Sequence, residues 1–165
     1  MTNSTSRIEE VCELLRGAVT EVFGTMLSTE AHPIAPGDSQ RTGEPLVAGT
    51  VGFMGEVNGV VYLSLNATFA RVLACRLLDM REEEFEDDAM INDAIGEVSN
   101  MVVGAVKSRL CDDGFPCVLT IPTIVRGTHF SVDVAGYSDR RSLAFRCGDD
   151  QISVTLLMKP PGDQA

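Results

Sequence analysis

Residues 7–28 carry a helical period. Ile8, Val11, Cys12, Leu15, Ala18, Val19, Val22, Phe23 and Met26 recur at steps of three and four, the spacing that lines one face of a helix. The hydroxyls of Ser4 to Ser6 can cap its start. Pro33, Pro36, Pro45, Gly37 and Gly43 then punctuate residues 29–46 and predict a long loop, favoured as mobile because it holds no aromatic anchor. Alternation returns over 47–66, with Val47, Val51 and Phe53 before Asn58-Gly59 and Val60, Tyr62 and Leu65 after it. That dipeptide takes the positive φ angles of a tight turn, so the stretch predicts a β-hairpin.

A second helix is predicted over 67–80, capped by Asn66, with Phe69, Val72, Leu73, Leu77 and Leu78 inward. The acidic run Glu82, Glu83, Glu84, Glu86, Asp87, Asp88 follows. It lacks the alternation and central glycine of an EF-hand, and reads as a solvated connector placing negative charge at the next helix's N-terminus. A third helix is predicted over 89–110, stopped by Gly114 and Pro116. The remainder reads as strands, at 118–125, 130–134, 142–147 and 152–158, with turns at Gly127, Gly136 and Gly148-Asp149-Asp150. The Pro/Gly-rich tail 159–165 is expected to fray.

These elements predict an α+β fold of two layers, with the two long helices on one face of a largely antiparallel sheet. A long helix followed by a hairpin comes first and a long helix followed by strands comes last, which suggests an internal repeat about a pseudo-two-fold axis. One domain is expected over 1–165, with its core at about 8–158.

Composition narrows the function classes. Hydrophobic residues are 44% and charged residues 22% of the 165, ordinary values for a globular chain. No apolar run approaches the roughly 20 residues that span a bilayer, and Met1 to Arg7 show no basic-then-apolar leader, so the cytoplasm is the expected address. The net charge of -11 disfavours nucleic acid and anionic membrane as partners. Cys12, Cys75, Cys111, Cys117 and Cys147 form no CxxC pair, against a disulfide framework. His32 and His129 lack ligand spacing to any cysteine, against a zinc site. No cofactor bound by this chain is expected.

The third helix is the informative segment. On a wheel of about 100° per residue, Ile91, Ala94, Ile95, Val98, Met101, Val102, Ala105 and Val106 fill a broad apolar face. Asp93, Glu97, Asn100, Gly104 and Lys107 share an arc of about 80° on the other side. That polar face is poorly built for a plain helix surface. Gly96 and Gly104 each cost roughly 1 kcal/mol relative to Ala, and Asn100 is a mediocre mid-helix residue. Asp93 and Glu97 repel at i,i+4. A docking surface would explain these choices, with Gly104 admitting another backbone. A wet helix face with Gly104 crossing a neighbour would explain them too.

The segment Asp93-Ala94-Ile95-Gly96-Glu97-Val98-Ser99-Asn100-Met101-Val102-Val103-Gly104 resembles the signature helix of the CheC/CheX-type chemotaxis phosphatases, whose core is Glu-x-x-Asn with a glycine four residues later. Glu21-Val22-Phe23-Gly24-Thr25-Met26-Leu27 is similar to the end of the family's first helix. Residues 51–65 and the helix after them are similar to its middle, and Ile121-Pro122-Thr123-Ile124-Val125-Arg126-Gly127 is similar to its Pro-to-Gly strand. The resemblance spans about residues 8–158, in order.

The resemblance implies a phosphatase that removes the aspartyl phosphate of a CheY-like response-regulator receiver domain, with Mg²⁺ supplied by the receiver. By position, Asn100 would orient the attacking water and Glu97 would pair with the receiver's active-site lysine. Asp93, Gly104 and Lys107 would complete the docking face. Residues 7–28 hold no Asn, so a second Glu-x-x-Asn site is excluded there and the arrangement is CheX-like. The resemblance, with strand edges that need cover, also implies a homodimer. The loop 29–46 and the acidic run 82–88 have no counterpart in the family pattern. Two other classes compete: a non-catalytic receiver-binding or flagellar-switch-related module of the same fold, and a small-molecule binding domain. The last has no Gly-rich phosphate loop to support it.

Overall fold

The apolar periods fold into helices and an antiparallel sheet that share one core. The computed structural model describes residues 4–37 and 43–162, with side chains from Arg7 onward. In chain order the elements are α1 (Ser4–Met26), β1 (His32–Ile34), β2 (Leu46–Gly55), β3 (Gly59–Asn66), α2 (Ala67–Leu78), a 3-10 turn (Glu82–Glu84), α3 (Asp88–Asp112), β4 (Cys117–Leu119), β5 (Thr123–Gly127), β6 (Asp139–Cys147) and β7 (Asp150–Met158).

Among the described residues, seven strands make one sheet in the order β1-β6-β7-β3-β2-β4, with β5 also on β2. Every pairing is antiparallel. Alternate residues of the central strands point to one face. Val47, Val51 and Phe53 of β2, Leu63 of β3, Phe145 of β6 and Val154 of β7 join a core that also holds the inner faces of α1, α2 and α3. The fold is therefore α+β with an antiparallel sheet, and three helices rather than two cover the core face. β1, which follows α1, pairs with β6 of the later hairpin, and β4 and β5, which follow α3, both pair with β2 of the earlier one.

α1 buries its expected stripe, with one exchange at the end: Met26 is exposed and Leu27 is buried instead. Ser28 then turns left-handed, and the Thr29 N–H donates to Phe23 O at 2.9 Å. Asn66 caps α2 as expected, accepting from the Phe69 N–H at 2.7 Å.

The hairpin forms, but by another device than the one expected. Neither Asn58 nor Gly59 takes a positive φ. Asn58 instead bridges the turn with its side chain, accepting from the Gly55 N–H and donating to Gly55 O, both at 3.1 Å. Gly59 is required for a different reason: a Cβ there would lie 2.3 Å from the Phe53 ring.

The loop expected over 29–46 contains a strand. His32–Ile34 pair with β6 from His32↔Arg146 to Ile34↔Ala144. A three-residue strand containing Pro33 is too short for periodicity to show, and an edge position tolerates the missing N–H. Of the loop expected to be mobile over 29–46, residues 38–42 lie outside the described residues, as do 163–165 of the tail expected to fray over 159–165. Before that end, the Lys159 N–H still donates to Asn58 O at 3.2 Å.

The alternating stretch 130–134 is not a strand. β5 takes the outer edge of β2, and β1 pairs with β6 only from Ala144 to Arg146; the stretch 130–134 joins neither ladder. Its backbone is held by Arg140, whose Nη1 donates to Val132 O at 3.2 Å while Nη2 donates to the Tyr62 hydroxyl at 2.6 Å. The stretch 118–125 is two strands. Leu119 pairs with Phe53 and Thr123 with Thr50, so Thr120, Ile121 and Pro122 stand opposite Val51 and Gly52 alone. One extra residue against two is a β-bulge, and Pro122 has no N–H to carry the ladder through.

The candidate docking helix

α3 runs longer than expected, from Asp88 to Asp112, with Asp87 as N-cap accepting from the Ala89 N–H at 2.9 Å. Two arginines hold its start. Arg71 of α2 lies 3.7 Å and Arg126 of β5 3.6 Å from the Asp88 carboxylate. Arg126 also donates from Nε to Asn92 Oδ1 at 2.6 Å, and Arg71 reaches Glu82 at 3.1 Å. The acidic run is thus partly neutralised where it meets the helix, and Phe85 in its middle is buried. The run's charges hide both features in the sequence, because arginines 71 and 126 lie far from it along the chain.

α3 sits on β2 and against both other helices. Its buried side includes Ile91, Ile95, Val98, Val102 and Val106 as the period predicts, and also Val103, Gly96 and Ser99. Ser99 is buried because its hydroxyl bonds back to Ile95 O at 2.8 Å, satisfying the group within the helix. It packs directly on Gly49 of β2, where an added Cβ would lie 2.1 Å from Ser99 Oγ and 3.0 Å from Ser99 Cβ. Gly49 therefore sets how closely α3 lies on the sheet.

The opposite side of α3 is open. Asp93 and Glu97 are exposed, and Asn100, Gly104 and Lys107 are half-buried. Among the described residues neither Glu97 nor Asn100 has a side-chain hydrogen-bond or ion-pair partner. Gly104 has no atom within 4 Å of an added Cβ, so it does not cross a neighbouring helix. Gly96 is different, with Pro122 Cβ 3.5 Å from where its own Cβ would be. Asn100 follows Gly96 by about one turn along the helix. The five residues of the sequence pattern thus share one accessible face, with Asp93 and Glu97 its most exposed members.

Chemically, the face offers the Glu97 carboxylate and the Asn100 carboxamide a turn apart, both unengaged among the described residues. An amide can donate to and accept from a water at once, and a carboxylate accepts from a cationic donor. Among the described residues, no group of three His, Cys, Asp or Glu side chains could hold a metal ion, and no helix is long and apolar enough to cross a membrane. The cysteines are free thiols: Cys12, Cys117 and Cys147 are buried and Cys111 is exposed. Burial pushes the Cys147 thiol up to about 11, with the nearby Asp150 carboxylate adding to the shift.

No curated protein matches the chain. Solved structures do. A chemotaxis protein CheX from Desulfovibrio desulfuricans is 21% identical, with 91% of this chain and 99% of that one covered at a TM-score of 0.75. CheX from Vibrio vulnificus is 20% identical over 91% and 99%, with a TM-score of 0.76. A chain of the CheX–CheY–BeF3–Mg²⁺ complex from Borrelia burgdorferi is 23% identical over 90% and 97%, with a TM-score of 0.73. At these identities the likeness is one of fold. The sequence itself matches the family model described as chemotaxis phosphatase CheX over residues 47–146, a span that contains the hairpin, α2, all of α3 and the bulge. By that match the chain belongs to the CheX family.

Proposed function

We propose that this protein hydrolyses the aspartyl phosphate of a CheY-like receiver domain, with Glu97 and Asn100 as its working side chains. One observation carries the reading. In a chain of the CheX family, α3 presents an exposed Glu97 and a half-buried Asn100 one turn apart, both unpartnered among the described residues. An Asn that caps nothing and bonds nothing has no structural role to explain it in mid-helix. The existence of a CheX–CheY complex in Borrelia burgdorferi supports a receiver as the partner.

The chemistry follows from the groups. The Asn100 carboxamide accepts a hydrogen bond from a water and donates one to a phosphoryl oxygen, which holds the water in line with the phosphorus. The water oxygen bonds to phosphorus as the bond from phosphorus to the aspartyl oxygen breaks. The aspartate leaves as carboxylate, and the water's proton goes to the released phosphate or to solvent. Positioning and electrostatics do the work, as suits a loose phosphoryl transition state. The receiver's Mg²⁺ neutralises charge on the phosphoryl group. Glu97, reaching outward one turn away, pairs with a lysine beside that group and fixes the register of docking. Asp93, Gly104 and Lys107 complete the contact, and the chain acts as a homodimer.

The test is the decay of phosphoryl label from purified CheY-like receivers, with and without the protein. Acceleration that Asn100→Ala removes supports the reading. Tight binding to a beryllofluoride-loaded receiver without any acceleration makes the protein a receiver-binding module instead. Light scattering at twice the monomer mass of 17.7 kDa is expected; the monomer mass at micromolar concentration would refute the dimer.

A further inference from the structure

We propose that Ile121, the residue extruded by the β4–β5 bulge, is a docking residue that grips an apolar patch of the receiver beside its phosphorylation pocket. This deepens the reading of α3 as the docking helix and rests on it.

Ile121 is 87% exposed, more than any other large hydrophobic side chain among the described residues. A single exposed apolar residue is ordinary, so exposure alone argues nothing. Two further observations single this one out. The first is that its backbone is clamped on both sides. Before it, the Thr120 N–H donates to Gly52 O at 2.9 Å and Thr120 Oγ1 accepts from the Gly52 N–H at 2.8 Å. After it, Pro122 fixes its own φ and rests 3.5 Å from the Cβ position of Gly96. A bulge re-aims a side chain, and bulges collect beside functional sites for that reason. A residue whose backbone is already held loses little backbone freedom when it docks, which favours it as an anchor.

The second observation is location. Pro122 packs on Gly96, about one helical turn before Asn100, which brings the bulge to the same stretch of α3. A receiver seated on Glu97 and Asn100 would meet the bulge at its rim. The two kinds of residue then divide the work. Asn100 acts on the water and so on the rate. Ile121 touches no reacting atom and contributes equally to ground state and transition state, so its contribution lies in binding.

The test uses the full chain and the CheY-type receiver whose phosphate it removes fastest, loaded with beryllofluoride and Mg²⁺ for titration and phosphorylated for decay. Ile121→Ala is expected to raise Kd and KM about tenfold, equivalent to about 1.4 kcal/mol, with kcat unchanged. Ile121→Leu should bind as the wild type, and Ile121→Asp should bind more weakly than Ile121→Ala. Thermal midpoints should match the wild type, since an exposed side chain contributes little to stability. If the wild type speeds decay while Ile121→Ala keeps its Kd and KM, this inference fails and the phosphatase reading stands. If Ile121→Asp converts a dimer to monomers, the residue serves self-association and the inference is overturned. If the wild type neither binds nor dephosphorylates any receiver, the function falls and takes this inference with it.

Discussion

Replacing Gly49 by alanine should lift the whole docking helix. The added methyl would meet Ser99 Oγ at 2.1 Å, Ser99 Cβ at 3.0 Å and Ile95 O at 3.3 Å. The hydroxyl can rotate away only by giving up its bond to Ile95 O, which leaves a buried group unsatisfied. The Cβ and the carbonyl cannot rotate away at all. α3 must therefore move outward by a few tenths of an ångström along its most tightly packed stretch. Over-packing of this kind costs about 1–3 kcal/mol. For a chain of this size that lowers Tm by roughly 3–10 °C. Calorimetry or thermal circular dichroism reads the shift. The partner substitution identifies the cause. Ser99→Gly removes both offending side-chain atoms, so the double variant should recover stability beyond the sum of the singles, by about 1 kcal/mol or more of coupling. Receiver dephosphorylation should fall in Gly49→Ala and return in the double variant, because Glu97 and Asn100 ride on the same helix. A Gly49→Ala Tm within a degree of wild type, or strictly additive singles, would refute the argument that this glycine sets the seat of α3.

Asn100→Ala should lower the rate of receiver-phosphate loss by about 10²-fold or more, the scale for losing one preorganised polar group, with binding to a beryllofluoride-loaded receiver largely kept; an unchanged decay rate would end the catalytic assignment. Glu97→Ala should weaken binding and rate together, and salt should weaken docking less in that variant than in wild type, read by titration at two ionic strengths. Gly104→Ala should raise Tm, since a Cβ meets nothing there and alanine favours helix by up to about 1 kcal/mol, while reducing receiver affinity if a partner's backbone comes close at that point. The buried Cys147 thiol, held up to about 11, keeps its proton in the fold but loses it in the unfolded chain at its ordinary lower pKa. The folded state then binds more protons across that window, so stability should fall as pH rises from about 9 toward 11. Denaturant titrations should give a shallower alkaline slope for Cys147→Ala.

What the sequence determined by itself was whatever depends on local period and local chemistry. The step of three and four in α1 and α3 needs no partner to be read, and Asn66 caps α2 through an atom three residues from its donor. The polar arc from Asp93 to Lys107 is likewise geometry internal to one helix, so the candidate face was legible before any fold was known. The tertiary structure decided everything set by who lies alongside. Residues 130–134 alternate like a strand, yet they pair with no strand and are held through Arg140 instead. His32–Ile34 become a strand only because the β6 edge accepts them. Asn58 turns the hairpin with its side chain, and Gly59 makes room for a ring six residues away. Arg71 and Arg126 reach Asp88 from distant segments. Ile121 looks like one more apolar strand residue until register leaves three residues opposite two and one of them must turn outward. Hydrophobic pattern specifies which face is buried, but pairing and register are long-range choices, and only the assembled sheet makes them.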